Sequence, residues 1–261
     1  SLGSEMCIRD SSLSAQIIRN KDWFWSVTLT GGHVMDQIRK ISQGLKNDID
    51  NPYDSSKPKI LFVEGGSQYD IYAMRSAGID PATGKEIFIK KNGEYTFNYD
   101  EKERVAVGNT NPILQGSLMN TLRYKGFSIS VATSYTFGSD YFNSTLKNKV
   151  ENIDLNYNVD RRVFTDRWKE PGDHTRFLGI GTSSSSSQYS ERFVEKRNEL
   201  YISSIQVMYD FAPKAITRLG LRKLAIGFGL SDIAHISTVK FERGTDYPYC
   251  RGINLIFRPT F

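Results

Sequence analysis

Three histidines, His33, His174 and His235, are the first places to look for a base or a metal ligand in this chain of 261 residues. A working histidine needs a partner at fixed spacing, as in the HExxH pair on one helix face, and none of the three has one. They read as structural or loop residues. No GxSxG elbow, phosphate-cradling P-loop or GxGxxG turn occurs. Carboxylates gather at Asp154, Asp160, Asp166, Glu170 and Asp173, but a glycosidase needs two of them at a set separation. Here they are interleaved with Arg161, Arg162, Arg167 and Lys169, the pattern of a solvated loop of mixed charge. The same neutralisation argues against nucleic acid as the partner of residues 161–169 (RRVFTDRWK). The oxygen-rich run 48–54 (DIDNPYD) lacks the central Gly and closing Glu of a calcium loop and reads as turns. Cys7 and Cys250 lie at opposite ends of the chain, with neither a disulfide framework nor a metal spacing. The reading is therefore of no catalytic residue, no metal, no cofactor and no enzyme. Trp168 and Tyr189 are the candidates for substrate or partner contact, because loop aromatics can stack on sugar rings or peptide side chains.

The elements that would carry these residues are strands. Residues 127–137 (FSISVATSYTF) place Phe127, Ile129, Val131, Thr133, Tyr135 and Phe137 on one face and Ser128, Ser130, Ala132, Ser134 and Thr136 on the other. A period of two with unlike faces is a strand, and this length matches a tilted bilayer crossing. The pattern recurs in Trp23, Trp25, Val27 and Leu29; in Leu114, Leu118, Leu122 and Tyr124; in Tyr201, Ile205, Val207, Tyr209 and Phe211; in Leu224, Ile226, Phe228 and Leu230; and in Ile253, Leu255, Phe257 and Phe261. On periodicity alone a soluble β-sandwich with one buried face and a membrane barrel stand level. Long strands and aromatics near strand ends favour the barrel. A mean hydropathy of -0.43 does not oppose it, since alternation cancels in the average. The net charge of +5 is mild. Tyr124-Lys125-Gly126-Phe127 reads as a tight turn with Gly supplying the unusual backbone angles, whereas residues 138–198 form one long connection containing a serine run. Helical spacing is read over residues 33–49, at Val34, Ile38, Ile41 and Leu45, and a short helix from Pro213 to Leu219.

Several segments resemble the SusC/RagA-type TonB-dependent transporters of the outer membrane: residues 76–89 (SAGIDPATGKEIFI), 108–112 (GNTNP) with Gly116, 123–130 (RYKGFSIS), 166–173 (DRWKEPGD) and the closing 251–257 (RGINLIF) to Phe261. The resemblance covers roughly residues 60–261. Residues 230–233 (LSDI) depart from it. It implies an all-β fold, a plugged antiparallel transmembrane β-barrel of about 22 strands with long extracellular loops, of which this chain supplies a C-terminal arc of roughly 8–10 strands. The implied activity is TonB-dependent import of an oligosaccharide or peptide across the outer membrane of a Gram-negative bacterium. The implied partners are a SusD-like surface lipoprotein, TonB acting through an N-terminal part not seen here, the barrel-assembly machinery and membrane lipid. Leu255, Phe257 and Phe261 on the last strand would form the assembly signal, read by strand addition. Pro259 departs from that pattern and must sit at an edge or strand end. The alternative is a soluble β-rich carbohydrate- or peptide-binding module. The opening lacks an initiator Met and a signal peptide, and residues 1–12 read as a translated adapter or cloning scar, leaving 13–261 as barrel.

Overall fold

The computed structural model describes residues 2–50, 61–154, 156–182, 189–216, 220–240 and 250–260. In chain order the strands are β1 (Leu2–Arg19), β2 (Trp23–Ile41), β3 (Asp70–Ala73), β4 (Arg75–Ile79), β5 (Glu86–Ile89), β6 (Tyr95–Thr96), β7 (Val105–Asn109), β8 (Leu114–Tyr124), β9 (Phe127–Phe142), β10 (Val194–Asp210), β11 (Lys223–Ser237) and β12 (Gly252–Thr260). Among the described residues four short α-helices join them: α1 (Gln43–Asp50), α2 (Ser144–Val150), α3 (Arg162–Thr165) and α4 (Pro213–Ile216). Among the described residues, seven long strands make one sheet in the order β1-β2-β8-β9-β10-β11-β12, every neighbour antiparallel. The other five form two small sheets, β3-β7 and β4-β5-β6, so the strands counted from sequence divide between a wall and its loops. None of the described helices is long and apolar enough to cross a membrane.

The register explains why alternation was so strict. One row across the sheet reads Ile18, Trp25, Leu122, Ile129, Val207, Phe228, Leu255; the next reads Ala15, Val27, Asn120, Val131, Ile205, Leu230, Ile253. A lower row runs Tyr124, Phe127, Tyr209, Ile226, Phe257. Every strand thus adds to one apolar band. Its polar member Asn120 accepts a hydrogen bond from Trp25 Nε1 at 2.9 Å, which is what an amide in hydrocarbon requires. The opposite face reads Gln16, Ser26, Thr121, Ser130, Gln206, Gly229, Asn254, small and polar.

The apolar face is uncovered. Leu13 is 67% exposed, Phe257 66% and Leu255 85%, while Ile38, Met74, Val150 and Phe193, all deeply buried, lie in or under the long loops. A soluble sandwich would bury this band against a second sheet; among the described residues nothing covers it. Burying such a face in lipid tails is the transmembrane solution. The eleven residues of β8, at about 3.3 Å each and a 35–45° tilt, span roughly 25 Å, the height of a barrel's apolar belt. The chain is thus an arc of an antiparallel transmembrane barrel.

Connections differ at the two ends. Residues 20–22, 125–126 and 211–222 link strands at one end; 42–113, 143–193 and 238–251 link them at the other. At the short-turn end Trp23 lies on Tyr124 with ring centroids 4.2 Å apart, Phe127 on Tyr209 at 4.5 Å, and Tyr209 against Phe211 at 4.9 Å, an aromatic girdle. Three expectations change here. The turn at 125–126 takes its left-handed residue from Lys125 (φ 50°), while Gly126 is required by space, since a Cβ there would meet the Asp210 carbonyl at 2.7 Å. Residues 33–41 are not helix: β2 continues through them, paired with β1, and only α1 follows. The long connection shortens to 143–193 because β9 and β10 run on past the bilayer. Residues 2–12 belong to β1, in continuous register with β2 apart from one irregularity at Gly3/Ser4.

Gly116 faces Gly31 across β2 and β8, and the Tyr135 hydroxyl passes over it to donate to the Thr30 carbonyl at 2.7 Å. A Cβ at Gly116 would collide with that same carbonyl. Gly116→Val in the full-length barrel is expected to cost about 1–3 kcal/mol through overpacking, read as a lower temperature for loss of the compact band in unboiled SDS gels. An unchanged transition would mean that Thr30 and Tyr135 yield without cost.

Candidate functional site: the rim of the barrel wall

The outward connections fold into a body of their own, and the chemistry-bearing residues lie there. Residues 76–89 make a β-hairpin, β4 to β5, whose turn is set by Asp80. Its carboxylate accepts from the Ala82 amide at 3.1 Å and the Thr83 hydroxyl at 2.6 Å, and Gly84 closes the turn at φ +68°. The Thr83 hydroxyl bond, with the Ala82 amide, holds the Asp80 carboxyl below its ordinary value. This is the chemistry an Asp-Pro-x-x-Gly turn needs, with the side chain standing in for a second turn of backbone.

The hairpin docks on the second motif. Trp168 lies flat against Gly84 and Gly179, where side chains would clash with its ring, and its Nε1 donates to the Pro81 carbonyl at 2.9 Å. The Gly172 amide donates to the same carbonyl at 2.9 Å, and the Gly179 amide to Gly84 at 3.0 Å. Beside it the Arg167 guanidinium is buried on three carbonyls, those of Leu178, Gly179 and Val150, at 2.7, 2.7 and 3.2 Å. Two segments identified separately in the sequence, 76–89 and 166–173, are therefore halves of one joint.

A buried charge network ties the same two loops again. Arg192 reaches Glu86 at 2.7 Å and Glu151 at 2.9 Å, with all three side chains less than a tenth exposed. Burial opposes the Arg192 charge, but the two carboxylates more than offset it and hold the guanidinium above its ordinary value. Glu86 also accepts from the Ser190 hydroxyl and Glu151 from the Leu178 amide at 2.8 Å. Lys147, buried close by on α2, is pushed down by desolvation. Leu146, Val150, Phe177 and Phe193 make the apolar core under this network. Its sequence signal was absent, because Glu86, Glu151 and Arg192 fall in no shared motif.

The rim is fixed to the wall by two aspartates at strand tips. Asp140 on β9 accepts from the Asn109 amide at 2.9 Å, and Gly108 sits so close to it that a side chain would clash. Asn109 in turn reaches Asp70 at 2.8 Å, and Asn111 donates to the Val34 carbonyl on β2 at 2.6 Å. Asp36 on β2 accepts from the Ser67 hydroxyl and from the Gln68 amide at 2.8 Å. The motif at 108–112 is thus the hook that returns the loop to β8.

Of the residues singled out from sequence, Trp168 and Tyr189 both lie half-buried in the rim. Tyr189 stacks on Phe142 at 4.6 Å, and its amide donates to the Tyr99 hydroxyl at 3.2 Å; burial pushes the Tyr189 hydroxyl up. The two are not brought together, and each has a packing role. Asp160 pairs with Arg162 at 2.7 Å, which holds its carboxyl well below the usual range; Asp173 accepts from the Lys169 and Glu170 amides. No three His, Cys, Asp or Glu side chains converge on a metal-sized point among the described residues. Residues 51–54 of the oxygen-rich run and Phe261 lie outside the described residues. Leu255 and Phe257 stand exposed on the edge strand β12, and Pro259 lies near its end, where a missing amide is tolerated.

No family model matches the sequence. The chain is similar to the TonB-dependent receptor P39 of Formosa agariphila, 23% identical over 268 residues, a match covering 85% of this chain and 25% of the relative. It spans about a quarter of the length of the curated relative it matches. Among solved structures it is similar to the RagAB peptide importer in its open-open state, with a TM-score of 0.72, 17% identity and coverage of 91% of this chain and 26% of that one. For the closed-closed state of the same importer the TM-score is 0.71 at 18% identity, with the same coverage. The resemblance to SusC/RagA-type TonB-dependent transporters thus holds in sequence and in fold. These relatives are receptors and transporters rather than enzymes.

Proposed function

We propose that this chain is part of the wall and outer rim of a TonB-dependent importer in the outer membrane of a Gram-negative bacterium, taking up an oligosaccharide or a peptide. The observation that carries the reading is the pairing of an uncovered apolar band with a small, polar opposite face under a built rim. A wall greasy outside and wet inside suits passage of a hydrophilic cargo. A soluble binding module, the other reading, would require a cover for the band. The rim is the surface for a SusD-like lipoprotein, and half-buried Trp168 and Tyr189 keep some accessible surface there for partner or substrate. TonB delivers energy through a plug. The β12 edge, with Leu255 and Phe257 and followed in sequence by Phe261, is the part offered to the barrel-assembly machinery by strand addition.

The test is deletion and restoration of the full-length gene in its host, with growth and uptake measured on defined oligosaccharides and on defined peptides as sole nutrient. Loss of growth on one class, restored by the gene, is the expected result. Growth unaffected on every class would overturn the import reading.

A further inference from the structure

The short-turn end of the wall carries the chain's surplus charge. Lys21, Lys125 and Arg222 stand exposed in the connections there. Arg19, Arg123, Lys223 and Arg258 stand exposed on the strand ends beside them. Among the described residues these seven cations meet two carboxylates at this end, Asp22 and Asp210, an excess as large as the whole chain's net charge of +5. None of the seven is in an ion pair among the described residues. Toward the opposite end, by contrast, Arg39 pairs with Glu5, Lys46 with Glu64 and Arg176 with Glu195. Like charges gathered without counter-charges repel, and an anionic partner relieves that repulsion.

Where the cations stand identifies that partner. The turn between β8 and β9 holds Lys125 in the left-handed conformation, and its ammonium lies over the Tyr124 ring, 5.2 Å from the centroid. Tyr124 belongs to the outward girdle, so this charge sits where lipid tails give way to headgroups. The neighbouring turn, which contains Lys21, is tied to it by the Lys125 amide, which donates to the Asp22 carbonyl at 2.9 Å. The Arg222 amide donates to the Thr260 carbonyl at 2.7 Å, which sets a third cation at the foot of β11 and β12. Arg19, Arg123, Lys223 and Arg258 alternate with Ile18, Leu122, Leu224 and Phe257 of the apolar face and so point inward. The wall is one sheet thick, so their charge still adds to the potential outside. Lys21, Lys125 and Arg222 follow the wall strand by strand, which fits a row of headgroups rather than one compact ligand. An ammonium is a point charge for a phosphodiester and a guanidinium a fork for two of its oxygens. A zwitterionic headgroup brings a cation of its own, which this collar repels.

We propose that Lys21, Lys125 and Arg222, backed by the inward-facing cations, bind the headgroups of anionic phospholipids in the leaflet at the short-turn end of the wall. This rests on the transmembrane wall and not on the cargo. The test uses the purified full-length protein in a neutral detergent, offered equal amounts of phosphatidylglycerol and phosphatidylcholine with the same acyl chains. Lipid retained on the intact protein is read by native mass spectrometry. The wild type should retain phosphatidylglycerol about tenfold over phosphatidylcholine. Lys21→Gln, Lys125→Asn and Arg222→Gln together should bring that preference below about threefold; Asn tolerates the left-handed backbone at 125. Lys40→Gln, Lys85→Gln and Lys169→Gln, which remove the same charge at the opposite end, should leave it unchanged. No preference in the wild type, or equal loss in the two triple variants, overturns the proposal. Inorganic phosphate in excess, at matched ionic strength, should not displace the lipid; displacement would mean that a bare anion suffices and would overturn the lipid assignment. If the first triple variant loses its compact gel band, Lys125→Asn and Arg222→Gln are read singly, with at least about a twofold loss expected from each and no loss in either overturning the proposal. A protein that keeps the preference but supports no uptake sinks the import reading and leaves this surface standing; one that imports its cargo without the preference sinks this surface alone.

Discussion

Val131→Arg should keep the full-length protein from accumulating as a folded barrel, whereas Ser130→Arg, one residue away, should leave it close to normal. Val131 sits at mid-height in the apolar band between Asn120 and Ile205, and Ser130 faces inward between Thr121 and Gln206. A charged side chain on the lipid face near the midplane of a barrel costs about 2–4 kcal/mol, and a lumenal one is accommodated by water. The pair isolates orientation, because position along the strand and the residue introduced are the same. The readout is outer-membrane abundance together with the compact band in unboiled gels. Equal loss in both variants would mean that both faces are packed, which a wall with one lipid-facing and one water-facing side does not allow. The reverse order would mean that the wall is turned inside out.

Arg192→Ala should be the most damaging change in the rim. It strands two buried carboxylates, Glu86 and Glu151, beside an apolar core. Removing one partner of a buried ion pair costs about 3–5 kcal/mol, chiefly from the charge left behind. The loss should be local: residues 144–193 should become protease-sensitive and exchange their amides rapidly while the strands keep their protection. Adding Glu86→Gln and Glu151→Gln to an Arg192→Met background should recover part of the loss, since the stranded carboxylates are then gone while the buried Lys147 ammonium loses these two counter-charges. If Arg192→Ala exchanges like the wild type, the network has no part in holding the rim together.

The wall was legible in the sequence and most of the rim was not, for a physical reason. Between two solvents, lipid and water, each strand residue takes its character from the side it faces, so β8 and β9 display their faces in plain alternation. Tyr201 was placed with Ile205 because a one-residue bulge at Ser203 leaves no composition signal yet inverts every face beyond it. Residues 33–41 gave helical spacing because the tip of β2 leaves the bilayer. There Ile38 and Ile41 are both buried beneath the rim, and the Ile38 amide and carbonyl pair with Gly66 and Gly65. Spacing reports burial, and the extra residue Arg39 brings Ile38 and Ile41, three apart, to the same face as Val34, so a bulged strand imitates a helix. Arg192 joins acids 41 and 106 residues away, a closure that only the folded chain can bring about. Trp168 was found as an aromatic on a loop; that its ring needs Gly84 and Gly179 beneath it could not be seen from either segment alone.

Asp36 and Asp140 stand on β2 and β9, and β8 lies between those strands. The segment they grip, residues 67–109, therefore acts as a hoop laid across three staves. Neighbouring staves of an open wall can splay or roll against each other about their hydrogen bonds. A crosspiece pinned to the outer two fixes the angle between them and so sets the local radius of the mouth. At this part of the wall, loosening either aspartate should change the bore before it changes the sheet.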